Sequence, residues 1–219
     1  MHIPPNWTFE NATVAQNFDA HVREQLPWYS LATGAVAHIA RHYVPNGGVV
    51  YDIGASTGNI ARALEPMLLE RGADLIPIEQ SQEMGLQYTG PGAESLIIGD
   101  AMDQEYQPCD LIVCFLTAMF LPVCGRRAFL GYLRSHLRPG GAMIVVDKCQ
   151  ATSGYAATVL WRLTLAGKIA AGVSADEIVA KELSLGGVQR PLSPRELPDD
   201  AIEWLRFGEF CGWLIEAKP

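Results

Sequence analysis

The 219 residues, 49% apolar and 18% charged, suffice for one α/β domain with a packed core and exclude a largely disordered chain. Twenty-four acidic against 16 basic residues give a formal net charge of −8, so the overall field repels phosphate backbones and strong direct binding of nucleic acid is not expected. Five cysteines without a Cys-x-x-Cys pair read as reduced core thiols, and no apolar run approaches the roughly 20 residues that span a bilayer.

In chain order, Met1 to Trp7 carries neither the basic nor the apolar region of a secretion signal, so the cytoplasm is the expected location and His2 lies in an open tail. Asn6-Trp7-Thr8 and Asn11-Ala12-Thr13 then match the glycosylation pattern by chance. Helical spacing runs from Thr13 to Leu26 and from Ser30 to Val44, separated by Pro27. Val49 to Ile53 is a strand closed by glycine, a helix follows through Ile60, Leu64 and Leu68, and Asp74 to Ile78 is a second strand closed by Glu79. The pattern continues with a helix from Ser81, strands at Ser95 to Ile98 and Leu111 to Phe115, a helix from Pro122 to Leu137, and a strand from Ala142 to Val146. Arg126, Arg127, Arg134 and Arg138, spaced along that last helix, read as a solvated face, and Arg190 with Arg195 is the other thin basic group.

Strands alternating with helices predict a mostly parallel, Rossmann-like α/β sheet covered on both faces. Beyond Asp147 two helical stretches, Tyr155 to Ala171 and Ser174 to Leu183, read as an insertion over the sheet edge. Ile202 to Phe207 and Gly212 to Ala217 read as an antiparallel hairpin. The expected organisation is one seven-stranded domain: a helical lid at 1–45, a core at 49–147, the insertion at 151–185 and the hairpin at 202–217.

The turn Asp52-Ile53-Gly54-Ala55-Ser56-Thr57-Gly58 puts small residues where a strand turns sharply into a helix. Gly54 and Gly58 can take backbone angles closed to other residues, and Ala55 and Ser56 let a ligand press on main chain. A carboxylate at Asp52 suits the cationic amino group of a methionine moiety better than a pyrophosphate. Glu79, about 20 residues past the turn, can accept hydrogen bonds from both hydroxyls of a ribose. Asp100 and the amide of Ala101 could hold an adenine, although an aspartate there also reads as a helix cap. All of these, with Phe115 ending the fourth strand, fall at the carboxyl edge of the sheet, where such folds bind ligands. Histidines 21, 38, 42 and 136 read as surface or core positions on helices, and no metal-ligand spacing occurs.

This set, with Pro139-Gly140-Gly141 before the fifth strand, resembles the class I S-adenosylmethionine-dependent methyltransferases over residues 49 to 147. Phe18-Asp19-Ala20-His21-Val22, Pro27-Trp28-Tyr29-Ser30, Ile78-Glu79-Gln80-Ser81-Gln82-Glu83-Met84 and Asp147-Lys148 look like the carboxy-S-adenosylmethionine synthases of tRNA wobble-uridine modification, which use prephenate. That resemblance implies S-adenosyl-L-methionine as cofactor, with Tyr29 over its sulfonium side, Gln80 by the adenine and Met84 on the adenine face. The family has an asparagine where Phe115 stands. It also has an arginine, in a helix before the final hairpin, that grips the added carboxylate; neither Arg190 nor Arg195 holds a matching position.

Displacement at a sulfonium can proceed by positioning and desolvation, and only a hydroxyl acceptor would need a base. The expected activity is methyl transfer to a small-molecule acceptor, with a carboxy-S-adenosylmethionine synthase or user second. A non-catalytic cofactor-binding module comes third and an NAD-dependent oxidoreductase fourth. No membrane partner is expected, and a homodimer is compatible with the reading.

Overall fold

The computed structural model describes residues 3–150 and 154–218. His2 and the start of the expected insertion, 151–153, lie outside them. Helix α1 spans Ala12–Gln25, and the Asn11 side-chain oxygen accepts hydrogen bonds from the amides of Thr13 and Val14 at 3.0 and 3.2 Å. The Asn-x-Thr triplet is thus a helix cap. Helix α2, Tyr29–Ala40, ends before the expected Val44 because the amides of Arg41, His42 and Tyr43 turn to carbonyls three residues back.

Next come β1 (Val49–Ile53), α3 (Asn59–Arg71), β2 (Asp74–Glu79), α4 (Gln82–Gly85), β3 (Ile97–Ile98), β4 (Cys109–Phe115) and α5 (Val123–Ser135). They are followed by β5 (Leu137–Lys148), α6 (Tyr155–Ala170), α7 (Ala175–Ser184), β6 (Ile202–Phe207) and β7 (Phe210–Glu216). The seven strands lie in the order β3-β2-β1-β4-β5-β7-β6, with β7 antiparallel to both neighbours and the other paired strands parallel.

Beyond α2, and starts two residues early in β4 and β7, three elements differ from the sequence reading. The helix after Ser81 is a single turn, held by the Ser81 hydroxyl, which accepts the Met84 amide at 3.2 Å. Strand β3 shrinks to two residues because Ser95 ends a short 3-10 turn, its hydroxyl donating to the Leu75 and Gly92 carbonyls. Strand β5 begins at Leu137 and carries Pro139-Gly140-Gly141 as an irregularity in its pairing with β4, whose register jumps from Cys109↔Leu137 to Leu111↔Ala142.

Alternate strand residues feed two cores. Val50, Leu111, Val113, Ile144 and Val146 pack toward α2 and α3, while Tyr51, Ile53, Ile112, Met143 and Val145 pack with Phe129, Leu130 and Leu133 of α5. The expected solvated arginine face holds at Arg127 and Arg138, which are exposed, and is corrected at Arg126 and Arg134. Arg126 is fully buried, 3.4 Å from Glu196, and Arg134 makes a bidentate pair with Asp200 at 2.8 and 2.6 Å. Both guanidiniums also cap carbonyls, of Leu121 and Glu216, so they tie the hairpin approach to α5. Four cysteines are buried as expected, and Cys124 is exposed. Among the described residues no helix is long and apolar enough to cross a membrane.

Candidate functional site

A cavity of about 450 Å³ opens beyond the carboxyl ends of β1, β2 and β4. Its roof comes from residues 7–10, α1, α6 and α7. The backbone amide of Trp7 donates to the Ser184 carbonyl at 2.9 Å and the Ser81 hydroxyl donates to the Phe9 carbonyl at 2.8 Å, which pins the entering chain across the opening. The two insertion helices therefore wall the cavity, beyond the sheet-edge cover expected of them. Of α6 only Thr164 and Lys168 are buried, both on the cavity, while Tyr155, Trp161, Leu163 and Ile169 are exposed.

Eleven of the twelve candidate residues line the cavity. The exception, Gly58, makes the turn itself: at φ 91° it starts α3, and a Cβ there would strike the Thr89 carbonyl. Gly54, at φ 73°, lies so close to the Thr117 side chain that a Cβ would collide with it. Among the described residues Ser56 and Leu116, both lining the cavity, are the non-glycine residues with positive φ, 53° and 59°. Such angles cost energy and concentrate at functional sites.

The Glu79 carboxylate is oriented by the turn. One oxygen accepts the Ser56 amide at 2.7 Å and the other the Ser81 amide at 2.8 Å, leaving each a lone pair for a ligand hydroxyl. Burial raises its pKa despite those amides. Asp52 is 1% exposed, its Oδ2 has no partner, and burial together with the Glu79 charge pushes its pKa up to about 7. A buried carboxylate oxygen on a cavity wall is the natural mate of a ligand cation. Asp100 serves as the cap of a 3-10 turn, accepting the Met102 amide at 2.8 Å, and also lines the cavity. The Ala101 backbone, the fully buried Met84 and the exposed Gln80 complete that end. Tyr29 and Phe115 meet edge to face at 5.3 Å, and burial raises the Tyr29 phenol above its ordinary value.

Helix α1 is fastened to the turn: Asp19 accepts from the Thr57 hydroxyl at 2.5 Å and from Arg62 at 2.6 Å. That helix also contributes residues the sequence reading did not place in a site. His21 and Gln25, one turn apart and 5% and 8% exposed, line the cavity with Nε2 and Oε1 unpartnered. Lys148, Lys168, Lys181 and Glu182 line the far end. Glu182 bridges Lys168 at 3.2 Å and Lys148 at 3.6 Å; burial would raise its carboxyl, and the two lysines outweigh burial and hold it low. Lys181 has its Nζ over the Trp7 ring, and burial, then Lys168, lowers its pKa to about 6. The ring face works in the opposite direction, favouring the ammonium. A sequence signal existed in the polar pair Thr164 and Lys168 at helical spacing, but it points inward only once α6 is packed. Arg190 and Arg195 are exposed and off the cavity.

No family model matches the chain. A carboxy-S-adenosyl-L-methionine synthase from Wolinella succinogenes is 31% identical, covering 93% of this chain and 92% of that protein. One from Staphylococcus epidermidis is 27% identical over 98% of both. The fold is shared with the plantazolicin methyltransferase BpumL, solved with SAH and a substrate analogue, at 14% identity, 94% and 90% coverage and a TM-score of 0.61.

Proposed function

The chain belongs to the carboxy-S-adenosyl-L-methionine synthase family, and from that premise we propose that it is an S-adenosyl-L-methionine-dependent methyltransferase acting on a small acceptor in the cytoplasm. The observation that carries the reading is the unpartnered Oδ2 of buried Asp52 on the cavity wall, which fits the amino group of that cofactor. Glu79 would take the ribose hydroxyls, Asp100 and the Ala101 amide the adenine edge, and Met84 and Gln80 the adenine face and rim. Tyr29 and Phe115 would line the sulfonium side. Bound there, the cofactor supplies a methyl group on a positively charged sulfur. The residues of the chain then have three tasks: aligning the acceptor, excluding water and holding the acceptor's proton.

Methyl transfer is favoured over carboxylation of the cofactor by the charge at the far end. Among the described residues no arginine lines the cavity, and Glu182 occupies two of its three lysines, Lys148 and Lys168. A carboxylate on the sulfonium carbon needs a fixed cation, since an unpaired buried charge costs about 3–5 kcal/mol. The second reading, carboxy-S-adenosyl-L-methionine synthesis, is favoured by Lys181, the one lysine there that no carboxylate pairs among the described residues.

Mass spectrometry of ligand released from the purified protein, followed by chromatography after incubation with S-adenosyl-L-methionine and prephenate, tests both. We expect S-adenosyl-L-methionine or its demethylated product and no carboxylated cofactor. Carboxylated product that disappears in Lys181→Met would make synthesis the primary activity.

A further inference from the structure

We propose that the part of the cavity under α1 binds a small aromatic acceptor carrying a hydroxyl or amine, whose single O–H is shared between His21 Nε2 and Gln25 Oε1 in a three-centre hydrogen bond, or whose two N–H groups serve one each. The proposal rests on the methyltransferase reading and names its acceptor class. Two polar atoms without a hydrogen-bond partner, on side chains each more than nine-tenths buried, line one cavity from successive turns of one helix. Buried polar atoms are nearly always paired, so such a doublet marks the place of a missing donor.

His21 is set up to accept. Burial first, and Lys181 next, lower its pKa to about 4, so near neutral pH the imidazole is uncharged and one ring nitrogen holds a free lone pair. Lys181 and Glu177 from α7 and Lys168 from α6 face it. The surroundings supply the aromatic preference. The His21 ring stacks on Trp7 at 5.7 Å and 26°, and Phe9 stands edge-on to Phe18 at 6.1 Å and to Phe120 at 5.0 Å. All four of these aromatic residues line the cavity. Planar walls with positive edges and negative faces suit a flat ring, and the two lone pairs orient its substituent.

Phenol and benzene are the probes, titrated by NMR into protein saturated with S-adenosylhomocysteine. Phenol should saturate in the low millimolar range, as expected for seven heavy atoms, and benzene should bind at least about tenfold more weakly. His21→Leu should level the two, and Gln25→Leu should weaken phenol severalfold. S-adenosylhomocysteine affinity should be unchanged in both variants, which also reports their folding. If His21→Leu fails to fold, Gln25→Leu decides by the same comparison. Benzene binding as tightly as phenol, no phenol binding up to about 20 mM, or phenol affinity indifferent to both substitutions overturns the proposal. Failure of S-adenosylhomocysteine itself to bind the wild-type protein overturns the methyltransferase reading instead.

Discussion

Asp52→Asn keeps the shape of the side chain and removes its charge, and it should stabilise the ligand-free protein at neutral pH while crippling ligand binding. Burial, then Glu79, lifts the Asp52 pKa from 3.8 to about 7. Between those values the folded chain keeps a proton that the unfolded chain has lost, so wild-type stability falls as pH rises through that window. The full gap corresponds to at most about 4 kcal/mol, and the uncharged amide of the variant would carry none of it. Binding should move the other way. In the proposed binding mode S-adenosylhomocysteine would bring an ammonium group to the unpartnered Oδ2, and withdrawing one member of a buried pair costs about 3–5 kcal/mol, a factor of roughly 10² to 4 × 10³ in Kd. Thermal unfolding at pH 4.5 and 7.5, with calorimetry of S-adenosylhomocysteine, measures both. A variant no more stable than wild type at pH 7.5, binding with unchanged affinity, would refute the assignment of Asp52 and the electrostatic argument together.

Gly54→Ala places a Cβ against Thr117 at a backbone φ of 73°, so urea denaturation should show a loss of about 1–3 kcal/mol. S-adenosylhomocysteine binding should be lost with it. Asp19→Asn breaks the pair with Arg62, whose side chains are 40% and 32% exposed, so global stability should drop by less than about 1 kcal/mol. Hydrogen exchange in α1 should nevertheless quicken and S-adenosylhomocysteine should dissociate faster; unchanged exchange would show that Asp19 does not hold the roof. Of the five thiols, Cys124 alone should react promptly with an aromatic disulfide reagent in the native protein, the rest following only on unfolding.

The half of the cavity at the strand ends was legible because topology alone assembles it. Residues at the ends of parallel strands come to one edge whatever the packing, and Asp52, Glu79, Asp100 and Phe115 are all of that kind. The half beneath the helices was not, because His21, Lys168 and Lys181 ride on three helices whose rotation is decided by tertiary contacts. A lysine on a helix reads as solvated, and nothing local distinguishes Lys168, which is buried, from Arg162, which is exposed. The same blindness hid Arg134, whose partner Asp200 lies 66 residues along the chain. Strand β3 failed for a smaller reason, since Ser95 uses its hydroxyl on two carbonyls and leaves only Ile97 and Ile98 to pair.

The placement of β7 between β5 and β6 has a kinetic consequence. Its pairs join Ala142 to Glu216 and Lys148 to Phe210, so more than 60 residues of chain must be traversed before β5 gains its second neighbour. Loop closure over such a span is slow compared with hairpin formation, so β6 and β7 should zip first and dock as a unit. Until they do, the apolar run Ala142–Val146, fully buried in the finished sheet, presents an open edge to other nascent chains. Yield during refolding or high-level expression should therefore be governed by temperature and chain concentration in that interval, and substitutions that tighten the turn at Gly208 should speed hairpin formation and improve recovery, with stability rising in step with the folding rate while the unfolding rate stays nearly unchanged.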